Sequence, residues 1–560
     1  GLNAIKQKYY MYTGRKTNCV SSANQMSLYF NNSNNSILRV DFRVSNDGVA
    51  FRYAFPEKSK KKYIITKELT GFSIASDGKA WIQPYDKPTK WTPGYEDYYQ
   101  NAIPVGSESP NKEGWAFPAL FQTADLWTLI SESGLDASYC GIRMESNAKN
   151  GMYRVRFPEK MDGEGTGNVN PESTLPWVMP WRTIIIGHTL AGIFNSTMIT
   201  DLAKPAVKGD FSWVKPGRAS WSWLTDNDSP QNFETLKKFV DLAVSLKWEY
   251  SLIDANWDLM KGGDVEQLVK YANSRNIGIL LWYNSGGPHN TISERPRDII
   301  FDSVKRNAEF AKLQKWGVKG LKIDFWQSDK QNLILLYEQV LKDAAKYKLL
   351  VNLHGCTIPR GWSRTYPNLV SQEAVKGEEA YLFDSLYSSH APVQNAILPF
   401  TRNVLGTMDY TPFVMTNLKF PHYTTYAHEL ALTLIHNSGV VHFGDNEKVY
   451  SKLPDFVKEF LIEVPTVFDE TKLLSGYPGE HIVIAARKGT VWYLAGINAL
   501  AKPVNLNIDG TFFKPENVAM KFITDSPDVK NQFICNTKNI NSSGFEVQLM
   551  PYGGFVAVIR

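Results

Sequence analysis

Between Ser220 and Phe443, short apolar runs alternate with segments of helix length, and this alternation constrains the fold more than any other feature of the chain. The runs are Ser220–Trp223, Tyr250–Ala255, Gly278–Tyr283, Gly320–Phe325, Leu349–Leu353, Leu369–Gln372, a poorly defined one near Met408, and Val440–Phe443. Helical segments fill the gaps at Asn232–Leu246, Val265–Ser274, Phe301–Trp316, Gln331–Lys346 and Thr424–Asn437. Strand and helix in turn at this spacing predict parallel βαβ units, and about eight such units close a (β/α)8 TIM-type barrel. The connection from the sixth run to the seventh is long and irregular, so the seventh strand is the least defined.

The clearest unit is Gly320-Leu-Lys-Ile-Asp-Phe-Trp326, a buried strand that ends on one acidic residue, Asp324. The C-terminal strand ends form the active face of such a barrel, so this position faces the chemistry. An acid at a strand end can equally cap the next helix or hold a loop.

On either side the texture changes. Residues 1–205 alternate in period two, as in Ile37–Val44, Val49–Phe55 and Trp181–Ile186, with Asn-Asp-Gly at 46–48 and Asp-Gly at 77–78 as hairpin signals. They predict an N-terminal β-sandwich that opens without an obvious first strand, as if sequence before it were missing. Alternation returns beyond about residue 470. The expected organisation is therefore multidomain, α/β plus all-β: a β-sandwich over 1–205, a catalytic barrel over 206–465 and a C-terminal β-sandwich over 466–560.

Composition excludes several functions. A net charge of +5 over 560 residues gives no electrostatic footprint for nucleic acid. No apolar run is long enough for a membrane span. Four scattered cysteines make neither a zinc spacing nor a disulfide framework. The 16 Trp and 27 Tyr include Trp91, Tyr95, Tyr98, Tyr99, Trp221 and Trp223 in loop-like settings. There they suit stacking on sugar rings, although aromatic residues serve packing as readily.

Acidic residues gather at the predicted strand ends. They are Asp254-Ala-Asn-Trp-Asp258, Asp324, Asn352-Leu-His354-Gly355, and Glu373 followed by Glu378-Glu379. Two carboxylates from different strands facing one cleft are what glycosidic cleavage requires. Other barrel hydrolases and lyases also use acidic strand ends, often with metals, so the pattern alone reaches only that broader class.

Four stretches carry a resemblance: Ser131-Glu-Ser-Gly-Leu-Asp136, Lys215-Pro-Gly-Arg-Ala-Ser-Trp-Ser-Trp223, Pro359-Arg-Gly-Trp-Ser-Arg-Thr-Tyr-Pro-Asn-Leu369, and Glu373 with Gly377-Glu-Glu379. In this order they resemble glycoside hydrolase family 97, over nearly the whole chain. The resemblance implies an exo-acting α-glycosidase with Ca2+ at the active site. Inverting α-glucosidases of that family carry a Glu after the fifth-strand His, where this chain has Gly355. Their other base lies near the end of the third strand, where this chain has Asn284-Ser-Gly-Gly287. Retaining α-galactosidases place a nucleophile at the end of the fourth strand, which is Asp324 here. A retaining pair stands about 5–5.5 Å apart, whereas an inverting pair leaves about 6.5–9.5 Å for a water.

By that resemblance Asp324 is the nucleophile and Glu379 the acid/base. Glu132, Glu373 and Glu379 are the expected metal ligands. Lys322, Asp254, Asn256, Trp257, His354 and Arg402 are the expected substrate contacts. The partner is an oligosaccharide or glycan, with no nucleic acid and no membrane span. A monomer is expected and an oligomer left open, with a periplasmic or secreted location. β-L-Arabinopyranosides (galactosides lacking C6), an inverting α-glucosidase, and a non-catalytic glycan-binding protein are the alternatives.

Overall fold

The computed structural model describes residues 2–513, 518–541 and 543–560. Its centre is a nearly closed parallel barrel of seven strands: Gly217–Trp221, Tyr250–Ile253, Gly278–Asn284, Gly320–Asp324, Leu350–Leu353, Leu369–Gln372 and Val440–Phe443. The seventh expected strand is reduced to one bridged residue. Met408 pairs in parallel with Gln372, and its N–H donates to Asn437 O at 2.9 Å. The long connection before it is partly helical, over Tyr387–Ile397.

Local chemistry explains why the fourth strand is so legible. The preceding helix, Ser303–Trp316, starts where Asp302 accepts from Val304 N at 2.9 Å and Lys305 N at 3.1 Å. Such a cap contributes about 1 kcal/mol. The helix ends at Gly317, whose φ of 88° suits the left-handed turn that closes it. Gly320–Asp324 then pairs with Gly278–Asn284 on one side and Leu350–Leu353 on the other, and all but its last residue are buried. Side chains alternate across a strand, so Lys322 and Asp324 share one face.

The N-terminal domain is antiparallel, built on a ten-stranded sheet with a separate three-stranded one. Leu2–Tyr10 is an edge strand paired with Asn18–Asn31, where the sequence had shown no first strand. It was hidden because none of its residues is fully buried, so the apolar alternation that marks a half-buried strand is weak. Asn46–Asp47 joins two paired strands, as expected, whereas Asp77–Gly78 turns the chain between strands of different sheets. The C-terminal domain has a six-stranded and a two-stranded antiparallel sheet. The barrel helix Tyr426–Ile435 packs on two of its strands, Val491–Asn498 and Gly554–Ile559.

The N-terminal domain is pinned to the barrel mouth by buried polar contacts. Lys330 Nζ donates to the carbonyls of Lys160 at 2.7 Å, Asp162 at 2.9 Å and Thr166 at 3.2 Å. Asp329 accepts from Tyr85 OH at 3.1 Å and also from Tyr95 OH. Each bond pays little by itself, but a buried donor left unpaired would cost about 1–3 kcal/mol. These contacts hold the loop around residues 86–99 against the strand ends.

Candidate active site

Every acidic or imidazole group singled out on the barrel lies at, or just beyond, a C-terminal strand end. Asp324 closes its own strand. Its Oδ1 accepts from Phe325 N at 2.7 Å and its Oδ2 from Trp282 Nε1 at 3.2 Å. Both oxygens are therefore oriented by donors from the barrel itself. Burial raises the Asp324 pKa to about 6, with His354 and Lys322 opposing the rise and Glu373 adding to it.

Next to it, Gly355 follows His354 with a φ of 49°. A Cβ at that position would stand 2.9 Å from Asp324 Oδ1 and 2.9 Å from Phe325 N. The space beside Asp324 therefore exists because residue 355 has no side chain.

Glu379 opens the short helix Ala380–Phe383. Its Oε1 is buried without a hydrogen-bond partner, 3.7 Å from Lys322 Nζ and 3.8 Å from His354 Nδ1. Burial raises its pKa to about 7; Lys322 and His354 oppose this, while Glu373 and Asp324 add to it.

His354 lies between acids. Its Nε2 is 2.7 Å from Asp409 Oδ2, and its Nδ1 is 3.2 Å from Glu373 Oε1. Burial disfavours the imidazolium, but Glu373 and Asp409 outweigh it and lift the pKa well above the ordinary histidine value. Asp409 also meets His442 Nδ1 at 2.8 Å and Asn352 Nδ2 at 2.5 Å. Burial works against its charge too, yet the two imidazoles hold its pKa well below the ordinary carboxylate value. Glu373 Oε2 accepts from Gly355 N at 2.8 Å.

Deeper in the barrel, Lys322 Nζ is 3.1 Å from Asp254 Oδ2 and 4.4 Å from the centre of the Trp221 ring. Asp254 Oδ2 also accepts from Trp221 Nε1 at 2.8 Å. Burial opposes the Lys322 charge, but Asp254, Glu379 and Asp324 together keep it protonated.

Six of the sequence-predicted residues thus converge: Asp254, Lys322, Asp324, His354, Glu373 and Glu379. The others do different work. Asn256 and Trp257 lie on the loop after the second strand. Asn256 Oδ1 accepts from Arg295 N at 3.1 Å, and Trp257 Nε1 donates to Trp282 O at 2.8 Å, so both brace the wall. Arg402 was expected at the substrate. Instead its buried guanidinium donates to the carbonyls of Gln372 at 2.9 Å, Glu373 at 3.0 Å and Ala374 at 3.1 Å, and it also reaches Gly406 and Thr407. With its donors turned to the backbone, it shapes the loop that carries Glu373.

Glu132 was expected as a metal ligand, and its geometry contradicts that. It is fully buried; Oε1 accepts from Arg360 Nε at 2.6 Å and Oε2 from Arg182 Nη1 at 2.9 Å. A carboxylate neutralised by two guanidinium groups has no charge to offer a cation.

Three residues were missed. Trp282 reads as an ordinary core residue until its N–H is seen on Asp324. Asp409 follows the rudimentary seventh strand, which had only a faint signal. Glu96 lies in an N-terminal loop with no periodicity at all. Burial, then the charges of Glu373, Asp86, Asp324 and Glu379, raise its pKa well above the ordinary glutamate value. A Cβ on Gly94 would lie 2.6 Å from Glu96 Oε1 and 3.6 Å from Gly355 Cα, so Glu96 approaches the barrel end from the other domain.

Among the described residues, His354, Glu373 and Glu379 form a possible metal-binding group, with one ligand atom from each within 4.8 Å of the others. The unpartnered Glu379 Oε1 and the Glu373 carboxylate suit a hard cation, which takes several oxygen donors. The imidazole fits only as a neutral ligand, so loading a cation there would release its proton.

A parallel barrel with carboxylates at its strand ends, set between two antiparallel domains, is the build of a barrel glycoside hydrolase. Comparison with known proteins agrees. Residues 2–205 match the family model described as "Glycosyl-hydrolase 97 N-terminal", 213–375 match "Glycoside hydrolase 97", and 467–560 match "Glycosyl-hydrolase 97 C-terminal, oligomerisation". The chain belongs to glycoside hydrolase family 97. It is 32% identical over 468 residues to a probable retaining alpha-galactosidase of Streptomyces bingchenggensis, covering 81% of this chain and 67% of that protein. It is 30% identical over 572 residues to a retaining alpha-galactosidase of Bacteroides thetaiotaomicron, covering 93% and 83%. A solved beta-arabinopyranosidase superimposes with a TM-score of 0.96 at 31% identity, covering 100% of this chain and 90% of that one. A family 97 enzyme of Pseudoalteromonas sp. strain K8, in complex with acarbose, shares the fold with a TM-score of 0.86 at 21% identity, covering 100% and 91%.

Proposed function

We propose that this enzyme is an exo-acting retaining α-galactosidase working by double displacement. The observation that carries the reading is the carboxylate of Asp324, held by Trp282 Nε1 and Phe325 N beside the side-chain-free Gly355. A carboxylate there is positioned to attack, and residue 355 offers no second one to activate water. The names of the two curated relatives support the same reading.

In this mechanism Asp324 attacks the anomeric carbon of a terminal α-D-galactosyl unit while Glu379 gives its proton to the departing oxygen. The glycosidic C–O bond breaks and a β-linked galactosyl-enzyme ester forms. Glu379, now ionised, takes a proton from water. That water attacks the same carbon and releases α-galactose and free Asp324. Trp282 and Phe325 aim the attacking carboxylate. We assign Lys322 and Asp254, paired at the deep end, to the sugar hydroxyls.

His354, Glu373 and Glu379 would hold the metal, which we assign as Ca2+ on the hardness of the two carboxylates. When bound, it supplies positive charge that offsets the crowded acids and restrains Glu379.

A second reading, a β-L-arabinopyranosidase, has its own support in the solved neighbour of that name. The two substrates differ at C6 only, so comparing kcat/KM on aryl α-D-galactoside and aryl β-L-arabinopyranoside decides between them. A clear preference for the galactoside supports the first reading, and the reverse preference replaces it with the second. The oligomerisation named for the matched C-terminal model favours assembly over the monomer expected from sequence, and sedimentation checks this. No helix among the described residues is long and apolar enough to cross a membrane. We place the enzyme in the periplasm or outside the cell, where cell fractionation would find it.

A further inference from the structure

Trp91 plays no part in the chemistry above, yet it stands at its edge. It is 45% exposed, on the N-terminal-domain loop that also carries Glu96. Its ring meets the Phe325 ring edge-on, 5.6 Å between centroids. Phe325 meets Trp282 in turn at 5.8 Å, and Trp282 donates to Asp324. A continuous aromatic wall therefore runs from the attacking carboxylate outward to solvent and ends on Trp91. The loop is also tied down: Gln327 Nε2 donates to Lys90 O, and a Cβ on Gly94 would lie 3.6 Å from Gly355 Cα. An exposed indole costs free energy in water unless something covers it.

The terminal sugar of an exo-acting enzyme occupies the closed end of such a pocket, so the rest of the substrate must leave through the mouth. We propose that Trp91 is the platform of the leaving-group subsite and stacks on the apolar face of the pyranose joined to the terminal unit. The inference rests on the proposed glycosidase reading and adds the class of leaving group, a pyranose rather than a small alcohol.

The test uses two substrates with the same terminal unit: α-D-galactosyl fluoride, which has no leaving sugar, and an α-1,6-linked galactosyl-glucose disaccharide. In Trp91→Ala, the ratio of kcat/KM for the disaccharide to that for the fluoride is expected to fall about tenfold, the scale of one lost ring contact. Trp91→Phe, which keeps a ring, should fall between the two. An unchanged ratio overturns the platform, whether both rates hold or both drop together; a common drop would mark Trp91 as support for the loop. A wild-type enzyme silent on galactosyl fluoride overturns the galactosidase reading instead. The platform is then judged by the same ratio on β-L-arabinopyranosyl fluoride and the matching disaccharide.

Discussion

The carboxylate of Asp324 and the missing side chain of Gly355 are sterically linked: a Cβ on residue 355 would lie 2.9 Å from Asp324 Oδ1. A nucleophile at the end of the fourth strand and a base carried by residue 355 would compete for one space. Gly355→Ala should therefore misplace Asp324. The expected result is a kcat loss larger than any change in KM, with about 1–3 kcal/mol of lost stability from overpacking. Steady-state kinetics alongside thermal unfolding check this; an Ala variant with wild-type kcat would show that the space is not needed.

Asp324→Asn keeps the shape of the carboxylate but cannot form the glycosyl ester, so turnover should be abolished for every leaving group. Glu379→Gln should behave differently. It should cost about 10²–10⁴-fold on substrates whose leaving group needs a proton, and far less in the first step for activated aryl galactosides. Measuring both variants on a graded series of leaving groups separates the roles. Equal losses across the series for Glu379→Gln would remove it as the acid.

The raised pKa values set the pH profile. Asp324 must be ionised to attack, so kcat/KM should fall as pH drops through about 6. Glu379 must be protonated, so it should also fall as pH rises; without the cation that limb lies near about 7, and bound Ca2+, whose charge favours the carboxylate, moves it lower. The two groups interact, so the apparent values belong to the pair. Glu379→Gln should flatten the alkaline limb on activated substrates while leaving the acid limb in place. A pH–rate series on both proteins reads this directly.

Chelation should lower activity, and Ca2+ should restore it, because the acidic cluster loses its counter-charge. Glu373→Gln should weaken cation affinity, as measured by calorimetry. Glu132→Gln should leave that affinity unchanged and instead lose about 3–5 kcal/mol of stability, the cost of breaking a buried ion pair. A Glu132 variant with wild-type stability and lost cation binding would reverse the assignment made from its two arginine partners.

Much of this was legible in the sequence because the barrel is built from local signals. The Asp302 cap, the left-handed Gly317 and the apolar run to Ile323 mark where a strand begins and where Asp324 must sit. The same rules located His354 and Glu373 at their strand ends. What was not legible depends on contacts between parts far apart in sequence. Glu132 and Glu96 are both acids of the N-terminal domain. Only the folded chain shows that one is held between Arg182 of its own domain and Arg360 of the barrel while the other approaches Gly355 at the barrel end. Arg402 has the residue type of a substrate clamp, and only its surrounding carbonyls show that it holds a loop. The seventh strand could be placed only loosely, near Met408, because one bridged residue has no periodicity to read.

The central claim is that Asp324 forms a covalent intermediate, and the anomer released first tests it most directly. Proton NMR of aryl α-galactoside hydrolysis, followed from the first turnovers, distinguishes the two outcomes before mutarotation mixes them. Two displacements at one carbon predict that α-galactose appears first. β-Galactose first would mean a single displacement by water and would leave Asp324 as a base or a bystander.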